Sequence, residues 1–318
     1  MKRTLHEQIA ANKRASVIYS IFLILLLAGL GTAMAGAYYP RQWYLGTLGA
    51  TALGFIMAMV ARYSGSSIIL SISGAREATQ AEDRMLNNVV EEMAIAGGIP
   101  KPKVYVIDDS SPNAFATGSD PDHAIVAITT GLMSKLDRDE LQGVIAHEMS
   151  HIRNYDIRFM TTIAMIAGLI PLLADMFLRM QFWGGGRRDR DKDSGLASIF
   201  AIVGLVLAIL APIFAKLLEM AVSRQREYLA DAGAAEMTRY PEGLARALQK
   251  IAMDPDPLEA ANRATQHMYI VNPMHLSGDD MISAFSTHPP THDRIQRLLN
   301  MMGSTTIEGA APPTIQAR

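Results

Sequence analysis

The most pointed chemistry in the chain sits at His147-Glu148-Met149-Ser150-His151. Two histidines four apart on a helix share one face, so both imidazoles can reach a single zinc ion. Imidazole ligates while neutral, which it is near physiological pH. Glu148 projects beside the pair. Zinc lowers the pKa of a bound water to about 7 and polarises a carbonyl, and a neighbouring carboxylate can take the water's proton. The chemistry is hydrolysis by an activated water. The bland alternative is a polar surface helix with two solvated histidines. Leu141, Val144, Ile145 and Ile152 argue against it, because they make the helix mostly apolar and set His147 and His151 at the edge of a buried face. Chance would place an H-E-x-x-H in roughly one shuffled chain of this composition per hundred.

A catalytic zinc needs a third protein ligand. No histidine follows closely on His151, which turns attention to a carboxylate elsewhere. Glu227 is a candidate, within Ser223-Arg224-Gln225-Arg226-Glu227-Tyr228-Leu229-Ala230-Asp231. Asp231 is four residues on, on the same helix face, where it could orient a ligand histidine through the ring nitrogen turned away from the metal. On spacing alone Glu219 and Glu236 compete with Glu227. A surface pair of Arg224 with Glu227 would be the non-functional reading, and such pairs are worth little. His6, His123, His267, His275 and His292 have no partner pattern and read as structural or surface residues.

These residues must be positioned by a chain that enters a membrane. Of 318 residues, 49% are hydrophobic and only 19% charged, below the roughly 25% of a typical soluble domain. The net charge of -2 speaks against a nucleic-acid partner held by bulk positive charge. The apolar content speaks against disorder. With no cysteine, disulfides, thiolate zinc sites, iron–sulfur clusters and cysteine nucleophiles are excluded. The apolar residues are clumped. Ala15 to Pro40, Gln42 to Ala61, Phe159 to Ala174 and Ser194 to Ala215 are uncharged runs of 26, 20, 16 and 22 residues. About 20 residues span a bilayer core. The third run is short, carries Pro171 and ends at Asp175, so it reads as a tilted, kinked or partial span. The first run is far longer than the roughly 7–15 residues of a signal-peptide core, and a second run follows at once, so it reads as an uncleaved anchor despite Ala33-Met34-Ala35. Lys2, Arg3, Lys13 and Arg14 against a lone Arg41 put the N-terminus on the cytoplasmic side. Arg187, Arg188, Arg190 and Lys192 conflict with that topology, since it places their loop outside.

Between the runs, periodicity predicts a connector at 66–74, a helix over 78–96, and strands at 104–107, 113–117 and 123–130. A helix from Asp137 carries the histidine motif to at least Arg153, with Asp139 and Glu140 in its first turn. Beyond the last run, a helix is expected over 217–236 and another after Pro241 with Leu244, Leu248 and Ile251 in register. Residues 254–291 read as loop-rich. A short amphipathic helix carrying Ile295, Leu298 and Leu299 follows, then a disordered tail from Gly303.

Taken together, these segments resemble the HtpX family of membrane zinc metalloproteases, relatives of the CAAX prenyl protease. The resemblance runs over nearly the whole chain. It rests on Pro112-Asn113-Ala114-Phe115-Ala116-Thr117-Gly118, Thr129-Thr130-Gly131-Leu132, the His147 motif, Ser223-Arg224-x-Arg226-Glu227-Tyr228-x-Ala230-Asp231 and Thr287-His288-Pro289-Pro290. Residues 181–196 fall outside it. The resemblance implies an α+β integral membrane protein, mostly helical, with four apolar membrane helices and a zincin-like (gluzincin) catalytic part containing a small β-sheet. It implies Glu227 as third ligand of one Zn2+ and polypeptide substrates, chiefly misfolded or damaged membrane proteins, cleaved at the cytoplasmic face of the cell inner membrane in quality control. The expected organisation is a membrane hairpin at 1–62, a first catalytic segment at 63–158, a second hairpin at 159–216, a second catalytic segment at 217–302 and a tail at 303–318. Asn113, Ala114, Phe115 and Ala116 could form an exposed strand edge that takes an extended substrate, a reading that rests mostly on the resemblance and competes with an ordinary sheet edge; His288 could donate to the developing oxyanion, or be a turn histidine before two prolines.

The metal constrains the topology independently of charge counting. His151 precedes the third run and Glu227 follows the fourth, yet all ligands must come within about 2 Å of one ion. Runs three and four must therefore leave and return on one side. An intramembrane protease would hold its motif inside a span, but Asp137, Arg138, Asp139 and Glu140 precede the motif and Arg153, Asp156 and Arg158 follow it. A membrane scaffold with a structural zinc is the non-enzymatic alternative.

Overall fold

In the computed structural model the described residues are 5–79, 84–183, 194–256, 258, 268–271 and 289–301. Helices α1 (Leu5–Tyr38) and α2 (Trp43–Ile72) form a hairpin. Next come β1 (Arg76–Glu77), α3 (Arg84–Gly97), β2 (Lys103–Ile107), β3 (Ala114–Gly118), β4 (Ala124–Thr129) and α4 (Thr130–Lys135). The motif helix α5 (Arg138–Arg153) is followed by α6 (Asp156–Ala167), α7 (Leu169–Trp183), α8 (Ser194–Thr238), α9 (Pro241–Met253) and α10 (Thr291–Met301). Among the described residues the chain is thus mostly helical, with one small mixed sheet.

Among the described residues three helical stretches are long and apolar enough to cross a membrane: Lys13–Tyr38, Pro40–Ile72 and Gly195–Leu217. Their outward residues are large and apolar. Leu25, Leu48, Phe55 and Ile202 are each more than 60% exposed, a surface suited to lipid rather than water. The inner faces meet in a core of Leu23, Leu27, Leu30, Ile163, Ile166, Ile170, Phe177, Ala208 and Ala211.

The third apolar run differs from the expected single span. It is divided between α6 and α7, of 12 and 15 residues. Pro171 explains the break: it has no N–H to offer the carbonyl of Ala167, where α6 ends. The expected connector at 66–74 is instead the end of α2, which continues to Ile72 because Ile69 and Leu70 are buried against the sheet. The fourth run and the helix expected at 217–236 are one continuous helix of 45 residues, interrupted by no break although Pro212 lies inside it. Of the sequence expectations, His288, the tail from Gly303 and residues 184–193 of the charged loop lie outside the described residues.

The sheet has order β1-β2-β4-β3, with β2 and β4 parallel and the other pairs antiparallel. Side chains alternate across it with period two. Val104, Val106, Ala114, Ala116, Val126 and Ile128 face the helices α3, α5, α9 and α10. Ile107, Phe115 and Ala127 face the other way, onto Ile69, Leu70, Met160, Met268 and Tyr269. Covered on both faces, the sheet is a rigid floor under α5. That helix starts on a capping box: Asp137 accepts from the Glu140 N–H at 2.9 Å and Glu140 accepts from the Asp137 N–H at 2.9 Å.

Candidate metal centre

Helix α5 buries Leu141, Val144, Ile145, Met149 and Ile152 in the core, and this fixes which way its other face points. That face carries His147 and His151, 0% and 3% exposed. The chain turns at Asn154 and Tyr155, between α5 and α6. Tyr155 has φ 61°, a left-handed conformation that costs a non-glycine residue free energy and marks an enforced corner. From there α6 and α7 lead away, and α8 returns to lie along α5. The helices approach closely at Gly233, where a Cβ would stand 2.2 Å from Ser150 Oγ. This contact delivers Glu227, 2% exposed, to the two imidazoles.

Donor groups of three residues converge, the two Glu227 oxygens each facing one imidazole. His147 Nε2 and His151 Nε2 are 3.1 Å apart, and the Glu227 carboxylate stands 3.5 Å from the first and 3.4 Å from the second. Tetrahedral zinc ligands at about 2.0–2.1 Å from the ion lie about 3.3–3.4 Å from one another. The fit extends to the tautomers. His147 Nδ1 is 3.0 Å from Asp231 Oδ1, and His151 Nδ1 is 3.2 Å from Asp156 Oδ2. Each Nδ1–H therefore donates to a carboxylate, which turns both Nε2 lone pairs into the shared space. Two lone pairs at that separation repel unless a cation or a proton lies between them.

The charges agree. The buried carboxylates of Glu148, Asp156, Glu227 and Asp231 face the buried guanidiniums of Arg226 and Arg294. With neutral imidazoles this cluster lacks two positive charges, the charge of one divalent cation. Without the metal, protons fill the deficit. Burial opposes charging of His151, but hydrogen bonds to Asp156 and Glu227 outweigh it and push its pKa up to about 10. Burial likewise opposes charging of His147, yet Asp231 and Glu227 raise its pKa. Burial also raises the carboxyl of Glu148. Asp231 is held low: burial works against its charge, but the Arg294 guanidinium prevails. The site attracts positive charge and keeps a carboxyl group beside it.

Each imidazole is backed by an aspartate and each aspartate by a buried arginine. Arg294 on α10 donates to Asp231 through Nε at 2.9 Å and Nη2 at 2.8 Å, while its Nη1 lies 3.1 Å from Glu227. Arg226 on α8 pairs with Asp156 at 3.2 Å. From sequence, Asp156, Arg226 and Arg294 are given no part in the metal site. Asp156 had a signal, five residues after His151, whereas no spacing rule links Arg294 to a histidine 147 residues earlier. Glu236, a competitor for third ligand on spacing, is exposed and pairs with Arg153 at 3.2 Å.

The candidate substrate edge differs from expectation. Strand β3 ends the sheet among the described strands, but Asn113, Ala114, Phe115 and Ala116 are all buried, not exposed. The segment 268–271 covers this edge. The Ile270 N–H donates to the Ala114 carbonyl at 2.9 Å, Asn113 Nδ2 donates to the Val271 carbonyl at 3.1 Å, and the Tyr269 ring packs edge-on against Phe115. The Ile270 carbonyl accepts from Arg294 Nη1 at 2.7 Å, so the strand edge and the donor cluster share one support.

Bilayer-length helices joined to a buried cluster of two imidazoles and a carboxylate, with an acid next to the first histidine, define a membrane metalloprotease. Residues 80–302 match peptidase family M48, and the chain belongs to that family. It is 50% identical over 300 residues to a "Protease HtpX homolog" of Dictyoglomus thermophilum, covering 94% of this chain and 95% of that protein. It is 46% identical over 307 residues to a "Protease HtpX homolog" of Caldanaerobacter subterraneus subsp. tengcongensis, covering 94% and 99%. Among solved structures, the crystal structure of S. mikatae Ste24p aligns with TM-score 0.48 and 21% identity, covering 90% of this chain and 63% of that one.

Proposed function

We propose that the protein is a zinc-dependent endopeptidase of the cell inner membrane. In this reading His147, His151 and Glu227 hold the ion, Asp231 and Asp156 orient the imidazoles, and Glu148 is the general base. The observation that carries it is the convergence of two Nε2 atoms 3.1 Å apart with the Glu227 carboxylate, whose oxygens stand 3.4 and 3.5 Å from them, both Nδ1 atoms being turned to carboxylates. Zinc bound there would bring a coordinated water to a pKa of about 7 and polarise the scissile carbonyl. Glu148, held dry beside the site, takes a proton from the attacking water and passes it to the leaving amine nitrogen. His288 is proposed to donate to the developing oxyanion. An extended substrate is proposed to add along the β3 edge near Ala116, beyond the Ala114 carbonyl that Ile270 already occupies.

Misfolded or damaged membrane proteins are the proposed substrates, in quality control. Support comes from the site's closeness to the membrane helices and from relatives named as proteases. The basic N-terminal flank supports a cytoplasmic catalytic part with both termini on that side. The motif helix α5 lies outside the three bilayer-length stretches, which favours this reading over an intramembrane protease. The test is zinc content together with degradation of casein or a membrane protein by full-length wild type, Glu148→Gln and Glu227→Ala. Glu148→Gln should retain zinc and lose at least about 10²–10⁴-fold in rate, and Glu227→Ala should lose both zinc and activity. Full activity of zinc-loaded Glu148→Gln would defeat the mechanism.

A further inference from the structure

The two arginine-backed supports close in different places. Behind His147, Arg294 is held by Asp231, Glu227 and the Ile270 carbonyl, all within the catalytic part. The support behind His151 runs into the first membrane helix. Arg226, 4% exposed, is the chain neighbour of Glu227. Its Nη1 is 3.2 Å from Asp156 Oδ1, and the other oxygen of Asp156 is 3.2 Å from His151 Nδ1. The guanidinium carbon lies 3.9 Å from the centroid of the Phe159 ring, and Phe159 packs against Tyr19 with ring centroids 5.7 Å apart. Arg226 Nη2 donates to Ser16 Oγ at 3.3 Å. Ser16 and Tyr19 belong to α1, within its first turns after Lys13, where the apolar stretch begins. A second tie runs beside the first: Lys13 Nζ lies 3.7 Å from the centroid of the Tyr155 ring, at the left-handed corner that leads into Asp156.

We infer that Arg226 is a positioning residue that sets His151 through Asp156, and that α1 is a working part of the metal site rather than only an anchor. This rests on His151 being a ligand. A buried guanidinium cannot leave its carboxylate without stranding a charge, and its place over Phe159 adds an aromatic attraction. It therefore transmits the seating of α1 to Asp156. Orienting Asp156 alone would need only a water or a backbone amide, but a guanidinium can reach Asp156, Phe159 and Ser16 at once. Metal affinity is thereby coupled to correct insertion of the first span, and the site is complete only when α1 is seated in the bundle.

Full-length protein in detergent micelles tests this by zinc competition with a chromophoric chelator and by the visible spectrum of the cobalt form. The variants are Arg226→Met, Arg226→Lys, the pair Ser16→Ala with Tyr19→Ala, and all three changes together. Arg226→Met should weaken zinc about 10–100-fold and alter the cobalt spectrum, as loss of an orienting partner does, with Arg226→Lys in between. The α1 pair should weaken zinc by a smaller factor and add nothing once Arg226 is Met. Leu25→Ala, on the lipid-facing side of α1, should leave the affinity unchanged. A normal affinity and cobalt spectrum in Arg226→Met with only a lowered melting temperature would overturn the inference, as would an α1 pair that binds zinc like wild type. If Arg226→Met fails to fold, the α1 pair decides alone. Wild type without zinc would instead refute the proposed function.

Discussion

Arg294→Met isolates the electrostatic logic of the site. The Arg294 side chain is 1% exposed and sits against two buried carboxylates, at 2.8 and 2.9 Å from Asp231 and 3.1 Å from Glu227. Methionine fills much of the same space, so the loss is mainly of charge and hydrogen bonds. Removing one partner of a buried ion pair costs about 3–5 kcal/mol, a large share of the roughly 5–15 kcal/mol that holds a domain folded. At roughly 2–4 °C per kcal/mol for a chain of this order of size, the metal-free variant should melt about 6–20 °C below wild type. Most of that cost comes from stranded carboxylates. Adding Asp231→Asn should therefore recover part of it, about 1–3 kcal/mol, because a neutral partner replaces an unpaired charge. Thermal unfolding of full-length, chelator-treated protein by circular dichroism gives all four values: wild type, two single variants and the double. A melting temperature for Arg294→Met within about 2 °C of wild type, or a double variant less stable than the two single losses combined, would refute the reasoning.

Three further predictions follow from the same geometry. The His151 pKa is about 10 in the metal-free protein against 6.5 for an unperturbed histidine, so its stabilising contribution is complete below pH 6.5 and disappears as pH rises through about 10. Zinc takes the place of those protons, and the difference in melting temperature between zinc-loaded and chelated protein should widen from pH 7 to pH 9.5; a constant or shrinking difference would contradict this. Gly233→Ala puts a methyl group 2.2 Å from Ser150 Oγ and 3.0 Å from Ser150 Cβ. The hydroxyl can rotate aside but the Cβ cannot, so the variant should lose about 1–3 kcal/mol despite alanine's better helix propensity and bind zinc more weakly, as read by chelator competition. Asp137→Ala removes the capping box of α5 and should cost about 1 kcal/mol with zinc affinity unchanged, seen as a lower melting temperature.

The elements most legible in the sequence were those set by strong periodicity or by a chemical constraint. Strands β2 and β4 lie within a residue or so of their expected limits because valine and isoleucine alternate there with clear turn signals. The motif helix begins at the acidic cluster that reads as its cap. The need for one ion to be gripped from both sides of runs three and four anticipates the path in which α6 and α7 leave the site and α8 returns to it. What stayed hidden depends on tertiary context. The helical end of α2 follows from burial of Ile69 and Leu70, which a local reading of Ser/Gly-rich residues 66–74 cannot weigh. Continuity of α8 past Lys216 reflects the absence of any breaker where polarity changes. Asn113 to Ala116 read as a sheet edge, but their burial depends on residues 268–271, more than 150 positions away. The contacts of Arg226 and Arg294 with the site were illegible for the same reason: a buried arginine is recognised by its partners, and these come from helices far apart in the chain.

Zinc K-edge X-ray absorption of the purified full-length protein tests the central claim most directly. Two imidazoles, Glu227 and a water predict four nitrogen or oxygen neighbours at about 2.0–2.1 Å, with the multiple-scattering signature of two histidines. Zinc retained by Glu227→Ala with a wild-type spectrum, or three or more histidines around the ion, would contradict it.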